Sequence, residues 1–283
     1  MKKSLVILAV ALLTVVGSRH AFAQSRPLVT EDPETVGPGQ ILLEGGIDFT
    51  QDTIYPASGL KGNLWRIGMF GLSFGVSSIA EIQLDGGVRD SFTIKSRFAA
   101  PLASMVTVTG DQSSDFPDAT IGAKIRFVSE TPTRPAMAVR FFTRLPNEGN
   151  ESGLGLDTFD FNFNLAIAKT VESVRVAGNF GFGILASPER GDVQNDVINY
   201  GVSVARAVRT GVEMVGEING RLNTRSGTPP VGTESRSVMR LGSRVTRGPV
   251  RLDGALLIGV TKFDPTWGFT GGFTWVFKAF TIQ

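Results

Sequence analysis

Apolar and polar positions alternate with a period of two in segment after segment between Gln40 and Phe277, most clearly in the last. Trp267, Phe269, Gly271, Phe273, Trp275 and Phe277 share one parity; Gly268, Thr270, Gly272, Thr274 and Val276 share the other. Successive side chains of a strand point to opposite faces, so this segment has an aromatic face and a small, mostly polar one. Ten steps at ~3.3 Å, tilted by about 40°, cover roughly 25 Å, the height of the apolar band of an outer-membrane barrel. Trp267, Phe273, Trp275 and Phe277 are then expected in interfacial aromatic girdles.

Eleven further segments precede it. In the first, Ile41, Leu43, Ile47 and Phe49 oppose Glu44 and Asp48. The second, about 64–75, resists assignment, because Phe70, Leu72 and Phe74 share a parity with Arg66. The third sets Ile82, Leu84 and Val88 against Glu81, Gln83 and Asp85, and the fourth sets Ile121, Ile125 and Phe127 against Lys124 and Arg126. In the fifth, Met137, Val139 and Phe141 oppose Arg140 and Arg144; in the sixth, Phe159, Phe161, Phe163, Leu165 and Ile167 alternate with Asp160, Asn162 and Asn164. Phe180 and Phe182 oppose Arg175 and Asn179 in the seventh, and Tyr200, Val202 and Val204 oppose Asn199 and Ser203 in the eighth. The ninth has Glu213, Glu217 and Arg221 across from Val212, Met214 and Ile218. The tenth has Arg240 and Arg244 across from Met239, Leu241 and Val245, and the eleventh has Arg251 and Asp253 across from Leu252, Leu256 and Ile258.

Twelve segments is an even number, as in bacterial single-chain barrels. The gaps after the odd-numbered segments read as long, reaching 28 residues at Asp90–Pro117, and those after the even-numbered ones as short. Long extracellular loops and short periplasmic turns account for that alternation when both termini are periplasmic. The link after the eleventh segment, at Asp264-Pro265, breaks it by being short. A soluble barrel of this size needs dozens of apolar side chains to fill its interior, whereas a membrane barrel turns them to lipid and keeps charge in a wet lumen. The pattern therefore predicts an all-β transmembrane antiparallel up-and-down barrel of about 12 strands over residues 40–278. Residues 24–39, punctuated by Pro27, Pro33 and Pro38, read as irregular, either periplasmic or inserted in the lumen, and 279–283 as a C-terminal extension.

Met1–Ala23 is set apart. Lys2 and Lys3, the apolar run Leu5–Val16 and Ala21-Phe22-Ala23 form a secretory signal peptide, expected to be cleaved after Ala23. Its removal takes Lys2, Lys3 and Arg19 and no acid, so 28 basic residues become 25 against 26 acidic. The high isoelectric point thus belongs to the leader, and gives no support for nucleic-acid binding. His20, the only histidine, leaves with it, and there is no cysteine. Histidine- or thiol-based catalysis, His/Cys zinc sites and disulfides are excluded. The acidic runs Glu31-Asp32 and Asp111–Asp118 lack metal-ligand spacing and read as solvated loop charge. No catalytic residues, metal or cofactor are expected. Glu213, Glu217 and Asp253 read as lumen charge neutralised by Arg221, Arg240, Arg244 and Arg251.

The segment Arg26–Gly46 (RPLVTEDPETVGPGQILLEGG), together with GVSSIAEIQL at Gly75–Leu84, FPDATIGAKIRF at Phe116–Phe127 and DPTWGFTGGFTWVF at the end, resembles the outer-membrane family named for the MetA pathway of phenol degradation. That resemblance implies a barrel associated with uptake or efflux of small organic compounds, and no catalytic residues. Lys278–Gln283 runs on past Phe277, where outer-membrane chains commonly end. The expected function is an outer-membrane conduit, passive or gated, for small organic molecules; the alternative is a surface-interaction barrel working through its loops. Expected partners are outer-membrane lipid and lipopolysaccharide, the barrel-assembly machinery and a small-molecule solute.

Overall fold

The computed structural model describes residues 25–190 and 193–281; the expected leader lies outside the described residues. The strands in chain order are β1 (Gln40–Tyr55), β2 (Leu60–Gly75), β3 (Ala80–Gly86), β4 (Arg89–Arg97), β5 (Gln112–Asp115), β6 (Thr120–Val128) and β7 (Ala136–Arg144). They continue as β8 (Asp160–Val171), β9 (Val174–Ala186), β10 (Gln194–Arg209), β11 (Val212–Asn223), β12 (Arg236–Arg247), β13 (Val250–Gly259) and β14 (Trp267–Lys278). Every pairing is antiparallel between neighbours, and β1 pairs with both β2 and β14, which closes the sheet. The cylinder has 12 staves, because β3 and β4 occupy one position as two halves and β5 pairs only with β4.

Two connections differ from the sequence expectation. The first two strands run well past the alternating parts seen in sequence and are joined by residues 56–59 alone, so that connection is short rather than long. Their distal halves are mostly polar (Thr50 to Tyr55, Leu60 to Asn63), which hid them from a period-two reading. The stretch Asp90–Pro117 is also no open loop: β4 continues the β3 stave beyond a break at Gly87-Val88, and β5 folds back onto it.

The ambiguous second strand has a local cause. Gly68 has φ +65, a conformation that glycine adopts without strain. Its register against β1 slips there, with Gly46 opposite Met69 but Asp48 opposite Arg66. A bulge of this kind shifts the parity by one residue. Phe70, Leu72 and Phe74 therefore face out with Leu43, whereas beyond Gly68 it is Trp65 that pairs with outward Phe49 and Arg66 that turns inward beside Asp48.

Polarity is inverted with respect to a soluble protein. Exposed side chains include Ile82, Ile121, Phe161, Phe180, Val202, Leu241, Leu252 and Leu256, while Lys124, Glu81, Asn162, Glu217 and Arg244 are buried. An outward apolar band around inward charge is the pattern of a barrel immersed in hydrocarbon. Aromatic contacts mark both ends of it. Phe49 packs on Trp65, Trp267 and Phe269 near the far rim, and Trp275 on Phe277 near the rim holding the chain ends. The cost of an outward charge should follow depth. Phe180→Arg, opposite Leu165 and Tyr200 in mid-barrel, is expected to lose ~2–4 kcal/mol, against ~0–1 for Val208→Arg near the terminal rim. Urea unfolding in lipid vesicles reads the difference, and equal losses would contradict the depth assignment.

Candidate functional site

The lumen is entered from the terminal rim by residues 25–39, which cross it without forming a strand. Because an extended segment leaves its own N–H groups unpaired, the inner wall supplies acceptors. Val29 N donates to Glu217 Oε1 at 2.8 Å, and Thr30 N to Glu217 Oε2 at 2.8 Å. Glu31 N donates to Asn179 Oδ1 at 2.6 Å, and Asn179 Nδ2 returns a bond to the Glu31 carbonyl. Val36 N donates to Glu81 Oε2 at 2.7 Å.

The acids of the segment meet basic residues of the wall. Lys124, fully buried, stands 2.7 Å from Glu31 and 3.1 Å from Glu81. Arg175 holds Asp32 with two bonds of 2.6 and 2.7 Å, and Arg126 pairs with Glu34. In the other direction Arg26 reaches Asp253 at 3.5 Å and donates to Thr270 Oγ1. Glu31 and Asp32 are thus buried partners of wall cations, which corrects their reading as solvated loop charge. Apolar contact is slight by comparison, with Leu28 packed by Ala205 and Val215.

The far rim is closed by other means. Leu60, Leu64, Phe92, Ile94 and Leu154 form a buried apolar cluster beneath the β4–β5 hairpin and the 145–159 connection, with Tyr55 and Val108 against it. Ser58 Oγ donates to the Gly153 carbonyl and Ser113 Oγ to the Ser152 carbonyl, each at 2.6 Å. Between the two closures lies a chamber of about 630 Å³. Arg26, Leu28 and Glu31 line one end and Tyr55, Leu154 and Glu148 the other. A second cavity of about 410 Å³ shares Thr53, Arg66, Arg221 and Arg236 with it.

The residues picked out in sequence fall into three groups. Glu81, Lys124, Arg126, Arg175, Asn179, Glu217 and Asp253 bind the N-terminal segment instead of facing open space. Arg240 bonds Glu217 and Asn219 on the neighbouring strand, and Arg244 flanks Glu213 while donating to the Ser25 carbonyl of the N-terminal segment. Arg251 with Glu213 and Asn162 with Asn199 each reach across one intervening strand. Asn164, at the same level as Arg140 on β7, belongs with this wall group. Glu44, Gln83, Asp85, Arg140, Arg144, Asp160 and Arg221 line the first cavity, and Asp48 the second. Arg140 and Arg144 are tied to Asp85 and to Asp118 with Asp160. Two expected pairings change: Asp253 is matched by Arg26 instead of a strand arginine, and Arg221 has no carboxylate within 4 Å among the described residues.

Sequence reasoning missed Arg66, Asp90, Glu148 and Arg236. The first is hidden by the bulge, the second and third lie in stretches read as loop, and Arg236 precedes the recognisable part of its strand. Trp267, Phe273 and Trp275 are on the outward, exposed face, with Phe277 beside Trp275.

Glu148 lies in the 145–159 connection, outside the membrane-spanning strands. Burial, with Asp90 as the next contributor, raises its carboxyl from 4.5 to about 8. Between those values the folded chain keeps a proton that an unfolded chain releases, so its stability should fall as pH rises across that window. Glu148→Gln is expected to flatten that slope, worth on the order of 2 kcal/mol after allowance for relaxation. Hydrogen exchange of residues 146–156 at pH 5 and pH 8 measures it; an identical slope in the variant would refute the assignment.

No protein-family model and no curated protein matches this chain. Solved structures do. The COG4313 outer membrane channel from Pseudomonas putida F1 shares 14% identity at a TM-score of 0.59, over 87% of this chain and 98% of that one. The translocator domain of the autotransporter NalP from Neisseria meningitidis shares 13% identity at 0.48, over 86% of this chain and 89% of that one. The Ralstonia pickettii toluene transporter TbuX shares 8% at 0.40, over 86% and 90%. At such identities the likeness is one of fold: the chain is a closed antiparallel barrel of 12 strands, similar in architecture to an outer-membrane channel.

Proposed function

We propose that this protein is an outer-membrane conduit for small organic molecules, gated by its own N-terminal segment. The observation that carries the reading is a lumen lined by both charge signs, with a chamber of about 630 Å³ held between two closures. Small-ligand sites commonly enclose ~300–1,000 Å³, so the chamber suits a small organic molecule. Support also comes from the similarity in fold to the Pseudomonas putida outer membrane channel. The narrower resemblance of Arg26–Gly46 and the other quoted segments to the MetA-pathway family belongs to the same proposal, as do location in the outer membrane and the absence of catalytic chemistry. The β4–β5 hairpin is folded over the mouth, with Phe92 and Ile94 buried against Leu60 and Leu64. That favours a closing role for it over presentation to a surface partner.

Two measurements test the gate. The mature chain is expected to show low conductance in planar bilayers, and a chain lacking residues 25–36 several-fold more. Lys124→Met leaves Glu31 and Glu81 without their buried partner, which costs ~3–5 kcal/mol when one side of such a pair is removed. It should therefore open the lumen as well. Silence from all three proteins, with no solute entering liposomes, would dispose of transport.

A further inference from the structure

The arginines facing the chamber are not equivalent. Arg26, Arg66, Arg140 and Arg144 each stand within 4 Å of a carboxylate, those of Asp253, Asp90, Asp85 and Asp118 respectively. Arg221 and Arg236 do not, among the described residues, although they sit directly opposite each other on β11 and β12 and line both cavities. Like charges facing each other across strands are destabilising unless something answers them.

What holds the pair is neutral. Arg221 donates from Nε to the Glu234 carbonyl at 3.1 Å and from Nη2 to the Gly232 carbonyl at 2.7 Å. Arg236 donates from Nη1 to the Phe263 carbonyl at 2.8 Å and from Nη2 to the Ile54 carbonyl at 3.1 Å. The nearby Glu234 carboxylate takes the Gly232 N–H at 3.0 Å, and Asp160 is engaged by Arg144. Carbonyls fix the direction of each guanidinium without cancelling its charge. Each guanidinium has five N–H groups, so donors remain for a further acceptor.

Apolar side chains flank the pair on the chamber side, among the carboxylates of Asp160, Glu148 and Glu234. Tyr55 follows the Ile54 whose carbonyl Arg236 holds, and its ring packs edge-on to Phe92 with centroids 5.1 Å apart. Leu156 lies against Gly232, whose carbonyl Arg221 holds, and Leu154 lines the same wall. Paired guanidiniums match the fork of a carboxylate, and an apolar wall beside them selects for a hydrocarbon body over a bare inorganic ion.

We propose that the chamber is a binding site for a small organic monocarboxylate, its carboxylate on Arg221 and Arg236 and its apolar body against Tyr55, Leu154 and Leu156. This names the solute class for the conduit and rests on that reading of the chamber.

Calorimetry on the full mature chain in detergent tests it, with benzoate and its neutral isostere benzamide as probes. Benzoate is expected to bind roughly tenfold or more tighter, the scale of a charge-assisted hydrogen bond. Arg221→Gln and Arg236→Gln should each remove most of that preference, weakening benzoate far more than benzamide. Equal binding of the two probes by the unaltered protein overturns the proposal whether or not the variants fold. So does inorganic phosphate binding as tightly as benzoate, or benzoate affinity unaltered in both variants. Liposome flux separates this proposal from the conduit itself. Benzoate binding without passage of any solute would sink the conduit and leave the site; passage of solutes without preference for benzoate in binding would do the reverse.

Discussion

The seam between β1 and β14 is the constraint on which the molecule depends. A sheet edge has no partner for its N–H and C=O groups inside hydrocarbon, so a spanning sheet must close on itself. Twelve residues of each strand meet in unbroken register from Gln40↔Lys278 to Gln51↔Trp267. Small residues concentrate in the middle of that seam, where Gly45, Gly46, Gly271 and Gly272 lie together. On the outside the Phe273 ring covers Gly45; on the inside the Arg26 guanidinium lies against Gly46 and Gly272, where a Cβ at either would stand 2.4 Å from its Nη2. The bareness of the seam is therefore used from both sides. One side receives an aromatic ring and the other Arg26, which finds its ionic partner in Asp253.

Closure at 12 strands creates the next problem, since the interior is too wide for wall side chains to fill and too narrow to be ignored. The chain answers with charge and with its own N-terminal segment. Taken singly, buried ion pairs return about as much as their desolvation costs, so they add little net stability. Removing one partner is costly, however, because the other is left uncompensated. The Glu31–Lys124–Glu81 cluster and the Arg175–Asp32 fork act in that way. They make residues 25–39 hard to mutate in place without gluing them down as an apolar plug would be. Gly201, where a Cβ would meet Thr30 Oγ1 at 2.7 Å, shows the wall shaped to the segment as well as charged for it.

Much of the architecture was legible in sequence because the physics that builds it is periodic. Where apolar and polar residues alternate against a single lipid-water boundary, as from Phe161 to Ala168, parity alone sets the inward face. What defeated the reading was aperiodic. One glycine at φ +65 moved Arg66 from the apparent outer face to the lumen. The hairpin of β4 and β5 lies beyond the apolar band, where the sense reverses: Phe92 and Ile94 turn inward, and Thr93 and Lys95 outward. Pairing was less legible still. Arg26 finds Asp253, and Asp32 finds Arg175, only after the cylinder has closed, and nothing local in Glu31-Asp32 distinguishes a solvated acid from a buried one.

The two ends of the lumen end up closed by different forces, and that difference bears on how the barrel works. The terminal end relies on ions and on backbone N–H groups donating to Glu217 and Glu81, with apolar burial limited to single side chains such as Leu28, Pro33 and Val36. Water competes well for such groups, so release of the segment exposes only a small apolar area. The far end buries Leu60, Leu64, Phe92, Ile94 and Leu154 against one another, and opening it would hydrate a continuous apolar cluster. The cheaper movement is therefore at the end where the chain begins. On the proposed reading, a solute held in the chamber by Arg221 and Arg236 would sit against the stiffer closure and wait on the looser one.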